Sequence, residues 1–513
     1  MRRTPSAVLL LTVLLAASAC SSSATPGPQG GGPAIGQYHQ PTPPPIQRTQ
    51  PPAPGSTPYD GVTFQDPGVN PYVDPTRDRV STFALDVDTA SYTVARRFVT
   101  DGHMPDPASV RPEEFVNYFA QGYAPPEDGA FAITGDGGPT PFLPADELLL
   151  RIGIKARTVA DRQRPAASLT FVIDVSGSMA REDRLDLVKQ SLRLLVDELG
   201  ERDSVAVVVF GTDARIVLDP TPGSDRARIL SAIDRLVPEG STNAEAGLRL
   251  GYEVADRHLL EDGINRVVLA SDGVANVGLT DPQSILSRIK KDASTGIQLV
   301  TVGVGMGNYN DVLLEQLADQ GDGFYAYVDT LEEARRLFVD DLTSTLDTIA
   351  LDAKAQIDFD PAVVDWYRLI GFENRAVADN QFRDNSVAAG AIGAGHEVTA
   401  LYAIRLTSDV RDSDRIGTVT LRWTDPTTRR ASETSHDVNG RDLSGSFAST
   451  NEHFKLDAVV AATAETFRGS PWIDGYRISD VAQVADRFSE QLPQTQQVRD
   501  FLELLRQAAR LGD

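Results

Sequence analysis

The chain has 513 residues, a formal net charge of −24, 41% hydrophobic residues and 23% charged residues. This length allows two or three domains with a large core, and the composition is that of a globular protein. The acidic balance argues against nucleic acid as a partner, because like charges would repel along the phosphate backbone.

The first twenty residues have the pattern of a targeting segment. Arg2 and Arg3 precede an apolar stretch over residues 7–17, and small residues lead from there to Cys20, which is the single cysteine of the chain. The apolar stretch is shorter than the about 20 residues that a membrane-spanning helix needs. A cysteine in this place resembles the lipobox of bacterial lipoproteins, in which the thiol is diacylated, although Ala17 stands where the usual lipobox has leucine. We therefore predict a signal peptide over residues 1–20, lipidation at Cys20, and an extracytoplasmic location at the cell membrane or cell envelope.

Residues 21–75 contain 14 Pro and 8 Gly with few charges. Such a composition cannot bury a core and favours extended, polyproline-like conformations. We predict a disordered tether over residues 21–75, which places the folded part away from a membrane surface.

The next segments predict an α/β domain that follows a flanking region. Residues 76–166, the N-terminal flanking region, contain a strand pattern, helical patterns and a further strand pattern. From 167 to 350, short apolar runs alternate with amphipathic helical patterns, the last of them one continuous helix over residues 331–346. Two of the strand runs are joined by a Gly-Thr-Asp turn at 211–213 and predict a hairpin. The alternation predicts a doubly wound, mostly parallel sheet with helices on both faces.

Residues 351–513 alternate apolar and polar side chains between turn residues, and end in three helical patterns. The alternation is typical of antiparallel strands. We expect strands from both sides of the α/β domain to form one β-sandwich. The predicted fold class is therefore an α/β domain inserted in a β-rich, sandwich-like α+β flanking domain.

Small oxygen-bearing side chains stand where strands of the α/β domain end or a helix begins. They are Asp174, Ser176, Ser178, Thr242 and Asp272. Because ligands bind at the carboxyl ends of the strands in such sheets, we expect the five side chains to converge, with Gly177 letting the chain bend around them. Hydroxyls with only two carboxylates suit Mg²⁺, which prefers hard oxygen ligands and retains waters; Mn²⁺ and Ca²⁺ are alternatives.

These five residues, in this order, resemble the metal-ion-dependent adhesion site of the von Willebrand factor type A (vWA) family. The resemblance implies that the serines and the threonine are hydroxyl ligands. It also implies that the two aspartates bind directly or through water, and that an acidic side chain of a protein partner completes the coordination sphere. The flanks, from FALDVDTASYTVARRF to SPWIDGYRISDVAQVADRF, are similar to the N-terminal and C-terminal regions, of unknown function, of YfbK-like bacterial vWA lipoproteins.

Several of these residues have simpler interpretations. Ser and Asp at helix starts are common N-caps. Asp86 and Asp88 imitate a second motif of the same kind, but no threonine or strand-end aspartate accompanies them, and we interpret them as structural. The glycines of residues 303–308 lack the spacing of a dinucleotide-binding loop, and we expect a loop at the rim of the metal site.

The functional hypothesis is a membrane-anchored envelope protein that captures an acidic residue of a protein partner through a bound metal. The alternative is an envelope scaffold in which the metal is structural and the β-rich flanks bind. A hydrolase with Ser176 or Ser178 as nucleophile is disfavoured, because there is no G-x-S-x-G elbow and His396 lacks the second histidine of a zinc helix. We expect no enzymatic activity and no small-molecule substrate.

Overall fold

A computed structural model of the chain describes residues 59, 62 and 64–512, apart from 86, 161–163, 274–281, 307–310, 386, 388, 408–409 and 474. The predicted signal peptide, Cys20, most of the predicted tether and Asp86 lie outside the described residues. Among the described residues, no helix is both long and apolar enough to cross a membrane.

Three sheets are built from the strands of the described residues. The strands are β1 Val80–Ala84, β2 Phe131–Gly138, β3 Glu147–Ala156, β4 Ala167–Asp174, β5 Ser204–Phe210, β6 Ala214–Pro222, β7 Ile264–Ser271, β8 Ile297–Val304, β9 Tyr325–Val328, β10 Thr348–Phe359, β11 Val364–Ile370, β12 Gly390–Gly393, β13 Glu397–Leu406, β14 Arg415–Thr424 and β15 Ala431–Asn439.

The helices lie in three stretches of the chain. They are α1 Ala90–Thr100, α2 Pro112–Asn117, α3 Arg184–Glu198, α4 Arg226–Asp234, α5 Ala244–Arg257, α6 Pro282–Ser294, α7 Asp311–Gln320, α8 Leu331–Arg335, α9 Leu342–Leu346, α10 Glu452–Phe467, α11 Ile478–Phe488 and α12 Gln496–Gly512. A 3₁₀ segment over Gly177–Asp183 precedes α3.

The six-stranded sheet has the order β6-β5-β4-β7-β8-β9, in which β6 is antiparallel to its neighbour and the other pairings are parallel. All eight residues of the central strand β4 are buried, as expected for a strand covered on both faces. One face packs against α3 and α4 through side chains such as Leu192 and Ile229. The other face packs against α1, α5 and α7 through side chains such as Phe98 and Leu248. The predicted doubly wound sheet is confirmed.

Two antiparallel sheets flank this domain, with the orders β1-β10-β14-β15 and β11-β13-β3-β2. A shared apolar core, including Phe83, Ile152, Ile357 and Tyr402, joins their inner faces. Each sheet takes strands from both sides of the α/β segment, because β1 pairs with β10 and β3 pairs with β13. The predicted insertion of the α/β domain into a β-sandwich is therefore confirmed. Helices α2, α10, α11 and α12 build a further core beside the second sheet.

The helix predicted over residues 331–346 is interrupted. A π-helical turn over Arg336–Asp340 separates α8 from α9. The Arg336 guanidinium donates to Glu333 at 2.5 Å and to Thr89 of the N-terminal flanking region at 3.0 Å. The extra residue of the wide turn lets Arg336 make these contacts while Leu337 and Phe338 remain buried. Helical periodicity alone contains no signal for such a contact.

Helix α5 approaches the sheet closely through two glycines one turn apart. A Cβ added at Gly251 would lie 2.3 Å from Cγ2 of Val172, and one added at Gly247 would lie 2.6 Å from Cδ1 of Phe210. The same helix carries, at its start, the loop that contains Thr242. The position of that loop therefore depends on the glycine contacts.

We expect Gly251→Ala to lower the free energy of unfolding by about 1–3 kcal/mol, because the added methyl group overpacks the core. Urea unfolding of the single variants and of Gly251→Ala/Val172→Ala measures the effect. The double variant should lose less stability than the two single losses added together, since Val172→Ala removes the clashing atom. Strict additivity would contradict the close packing.

Candidate metal centre

The candidate site lies at the carboxyl ends of the parallel strands. Asp174 is the last residue of β4, and Asp272 directly follows β7. Ser176 and Ser178 lie in the turn after β4, where the Val175 amide continues the sheet by donating to the Phe210 carbonyl at 2.9 Å. The parallel pairing of β4 with β7 therefore brings two sequence-distant aspartates to one edge.

Hydrogen bonds join four of the five predicted residues. The hydroxyls of Ser176 and Ser178 lie 3.0 Å apart, and the Ser178 hydroxyl donates to Oδ1 of Asp272 at 3.0 Å. The Ser176 amide donates to Oδ1 of Asp174 at 2.7 Å. Asp174 and Ser176 are buried, whereas Ser178 is half-buried and Gly177 exposed. The donors thus form a floor and a rim that opens to solvent.

Thr242 is the fifth predicted residue, and the structure places it through its backbone neighbours. The Gly177 amide donates to the Gly240 carbonyl at 3.1 Å, and the Asn243 amide donates to the Gly211 carbonyl at 2.9 Å. The loop therefore crosses directly above the serine turn. The half-buried Thr242 side chain makes no hydrogen bond to the other four residues, all of which the structure describes.

The chain does turn after β4, but the turn does not need a glycine at position 177. The backbone of Gly177 is outside the left-handed region, and an added Cβ would meet only the Gly240 carbonyl oxygen at an ordinary 3.6 Å. The residue of this turn that adopts a left-handed conformation is Glu182, with φ of 51°. The turn bends there, just before α3 begins.

The charge of Asp174 is poorly compensated. Burial raises the pKa of its carboxyl to about 6, and the neighbouring Asp272 carboxylate adds to the rise. Hydrogen bonds from Ser271 and Ser176 oppose it; the Ser271 hydroxyl donates to Oδ2 of Asp174 at 2.6 Å. Neutral donors alone therefore hold this buried carboxylate, and a cation placed among them would supply the missing charge.

Three further residues contribute to the site, and the five-residue motif does not predict them. Ser271 lies beside Asp272 in sequence and orients Asp174. Arg184, the first residue of α3, donates from Nη1 to Oδ2 of Asp272 at 2.7 Å. Gly305, in the glycine-containing loop after β8, provides the space for that arginine. Helical periodicity in α3 marks the apolar residues and gives no reason to place Arg184 inward.

The donor set has the chemistry of a small, hard cation site. Adjacent ligands of an octahedral ion with metal–oxygen distances of about 2.1 Å lie about 3.0 Å apart. The Ser178 hydroxyl oxygen has this separation from the Ser176 hydroxyl oxygen and from Oδ1 of Asp272. No group of three or more His, Cys, Asp or Glu side chains within the described residues is arranged to hold a metal. A cation here would therefore depend on the hydroxyls.

The other residues considered from sequence have structural surroundings. Asp88 is buried, accepts from the Tyr325 amide at 2.9 Å and pairs with Arg375 at 3.2 Å. His396 is held in a tight turn, where its Nδ1 accepts from the Gly393 amide at 3.2 Å, and burial lowers its pKa to about 4. Both residues therefore have structural partners in the flanking domain.

Comparisons with known proteins agree with this architecture. Three family profiles match: "von Willebrand factor type A domain" at residues 168–340, "Uncharacterized protein YfbK, C-terminal" at 344–511, and "von Willebrand factor" at 59–150. The chain is 36% identical to the protein YfbK of Escherichia coli K12 over 469 residues. This alignment covers 86% of this chain and 80% of that protein. It is 31% identical over 195 residues to sll0103 of Synechocystis, covering 38% of this chain and 45% of that protein.

A solved structure from Catenulispora acidiphila, described as von Willebrand factor type A, is similar over 74% of this chain and 89% of its own. The TM-score is 0.44 and the sequence identity is 15%.

The strained charge of Asp174 predicts a pH dependence. The native pKa of about 6 exceeds the ordinary value of 3.8, so the metal-free native protein loses stability as pH rises between these values. We expect Asp174→Asn to raise the free energy of unfolding at pH 7 in EDTA by up to about 3 kcal/mol, and to change it little below pH 4. Urea unfolding across this pH range measures both.

Asp203→Asn is the matched control for this experiment. Burial opposes ionisation there too, but hydrogen bonds from Arg164 and from the Gly200 and Ala167 amides lower the pKa of Asp203. We expect Asp203→Asn to destabilise the protein at pH 7. Parallel pH curves for wild type and Asp174→Asn would contradict the predicted strain.

Proposed function

The chain belongs to the YfbK family and contains a vWA domain, and from this premise we propose that it is a lipid-anchored protein of the cell envelope that binds protein partners. Binding would proceed through a divalent cation held by Asp174, Ser176, Ser178, Thr242 and Asp272, to which the partner contributes an aspartate or glutamate. We assign no catalytic role to the site.

One observation carries this proposal: oxygen donors with few charges are brought together at one edge of the sheet, and they open to solvent on one side. The Ser178 hydroxyl oxygen lies 3.0 Å from the Ser176 hydroxyl oxygen and 3.0 Å from Oδ1 of Asp272. A donor set of neutral hydroxyls with only two carboxylates supports Mg²⁺ or Mn²⁺ more than Ca²⁺, which takes more ligands, at 2.3–2.6 Å. The half-buried Ser178 and the exposed Gly177 leave the rim accessible.

Electrostatics explains why the partner's group would be acidic. A divalent cation held largely by neutral hydroxyls keeps open coordination positions, and a partner carboxylate is a strong, charged oxygen ligand for such a position. The overall charge of −24 does not prevent this, because the ion sets the local field. The buried Asp174 and Ser176 form the floor of the site, and the half-buried Ser178 lies at its rim.

The proposed anchor rests on the sequence of the first 75 residues. A lone Cys20 after an apolar targeting segment, followed by a Pro- and Gly-rich stretch, supports a diacylated terminus and a spacer. Two acyl chains hold a protein on a bilayer stably, whereas one gives only marginal binding. The folded region would then be displayed outside the cytoplasm.

We expect Asp174→Ala to weaken Mn²⁺ binding more than about 100-fold, because a direct or water-mediated charged ligand is lost. Calorimetric titration of the purified chain measures this. In affinity capture from envelope extracts, wild type should retain partner proteins in Mg²⁺ and release them in EDTA, while Asp174→Ala retains none in either condition.

Ser241→Ala is the matched control, because Ser241 adjoins Thr242 in the same loop and is exposed. It should behave as wild type. Equal capture by Asp174→Ala and wild type in saturating Mg²⁺ would refute metal-mediated binding, and would instead favour a scaffold whose β-rich flanks bind.

We expect Cys20→Ser to move the protein from the membrane fraction to the soluble extracytoplasmic fraction, because the thiol is the attachment point of the acyl chains. Fractionation followed by carbonate washing, with mass spectrometry of the N-terminus, measures the change. Retention of the variant in washed membranes would contradict lipid anchoring at Cys20.

A further inference from the structure

We propose that Arg184 sets the charge of the candidate metal centre, so that the cation and a carboxylate ligand bind cooperatively. Arg184 would weaken binding of the cation alone and strengthen binding of a carboxylate to the loaded centre. The inference rests on the proposed function and deepens it by naming a positioning residue for the acidic partner.

The contact that carries this inference is direct. Nη1 of Arg184 donates to Oδ2 of Asp272 at 2.7 Å, and the other oxygen of the same carboxylate accepts from Ser178 at 3.0 Å. Both partners of the ion pair are almost fully buried, with side chains 5% and 3% exposed. One of the two aspartates of the site is thus already paired with a cation of the chain.

The fold makes specific room for this guanidinium. Gly305, in the loop after β8, has φ of +72°, and a Cβ added there would lie 2.3 Å from Nε of Arg184. The backbone loop therefore packs directly against the arginine, at the carboxyl end of a third parallel strand. Within the glycine-containing segment 303–306, the structure thus places Gly305 against the arginine that pairs with Asp272.

The arginine is not placed for maximal stability. Its buried Nε has no hydrogen-bond partner within the described part of the chain. A buried guanidinium with incomplete hydrogen bonding is unfavourable, and buried ion pairs are commonly no more stable than apolar replacements. A role in setting the local charge explains why a positive group is nevertheless held at this place.

The counter-charge from the remaining neighbours is weak. Nη2 of Arg184 lies 3.8 Å from Oε1 of Glu182, whose side chain is 49% exposed. Glu182 also pairs with Arg97, whose Nη2 lies 3.3 Å from Oε2 of Glu182. Solvent screens an exposed carboxylate, so most of the positive charge of Arg184 remains effective toward Asp272 and the hydroxyls.

The charge balance then gives the direction of the effect. Asp174 and Asp272 carry two negative charges and Arg184 one positive, which leaves one net negative charge for a divalent cation. The loaded centre has one surplus positive charge, and a carboxylate neutralises it. Linkage requires that the carboxylate raises the affinity for the cation by the same factor as the reverse.

The test measures Mn²⁺ affinity of the full chain in detergent by electron paramagnetic resonance, with and without acetate as the carboxylate probe. Even with screening close to that of water, one unit charge about 6 Å from a divalent ion changes affinity by about tenfold. We expect Arg184→Gln to bind Mn²⁺ alone about tenfold more tightly than wild type. We expect acetate to tighten Mn²⁺ binding about tenfold less in this variant than in wild type.

Two variants provide the controls. Arg184→Lys keeps the charge and should restore wild-type coupling between acetate and Mn²⁺. Arg181→Gln removes the same charge from an exposed side chain of the same turn, and should leave both affinities within about twofold of wild type.

Unchanged or weaker Mn²⁺ binding by folded Arg184→Gln would overturn the inference, since a purely structural arginine predicts that result. The proposed function would survive that outcome as long as wild type binds Mn²⁺ and Asp174→Ala does not. If Arg184→Gln fails to fold, wild type still decides: absence of any coupling between acetate and Mn²⁺ would overturn the inference. A wild type that binds no Mn²⁺ would overturn both.

Discussion

A buried carboxylate at the end of the central strand is the constraint around which this site is arranged. Asp174 is held only by neutral donors, from the Ser176 amide and the Ser271 hydroxyl, and burial raises its pKa. Removing a charge from water without a counter-ion is unfavourable. Sheet topology, the serine turn and the loop before α5 all bring oxygen atoms to this point, and each increases the demand for positive charge there.

The position of Asp174, Ser176, Ser178 and Asp272 could be anticipated because it follows from topology. Parallel strands end at a common edge, and an apolar run that stops at a carboxylate marks such an end in the sequence. The sandwich was anticipated for a similar reason, since alternating patterns occur on both sides of the α/β segment. In each case the signal is local and the geometry is imposed by regular pairing.

Other features depend on contacts between residues that are distant in sequence, and no local sequence pattern predicts such contacts. Arg184 turns inward because Gly305, more than a hundred residues later, leaves room for its side chain. At the π-helical turn, Arg336 donates a hydrogen bond to Thr89 of the N-terminal flanking region. Gly177 illustrates the reverse error, in which a glycine between two functional residues suggested a conformational need that its backbone does not have.

The pairing of strands across the inserted domain has a consequence for how the chain must fold. Val80 of β1 lies opposite Asp358 of β10, and Lys155 of β3 opposite Glu397 of β13. Long-range pairings of this kind form slowly, and strand edges that have not yet paired are prone to aggregation. During synthesis from the N-terminus, β1 and β3 emerge before the whole α/β domain. Although β3 can pair early with β2, the pairings of β1 with β10 and of β3 with β13 can form only after that domain. The α/β domain is complete before the sandwich closes, so its packing against α1 can hold the early strands near the place where their partners arrive.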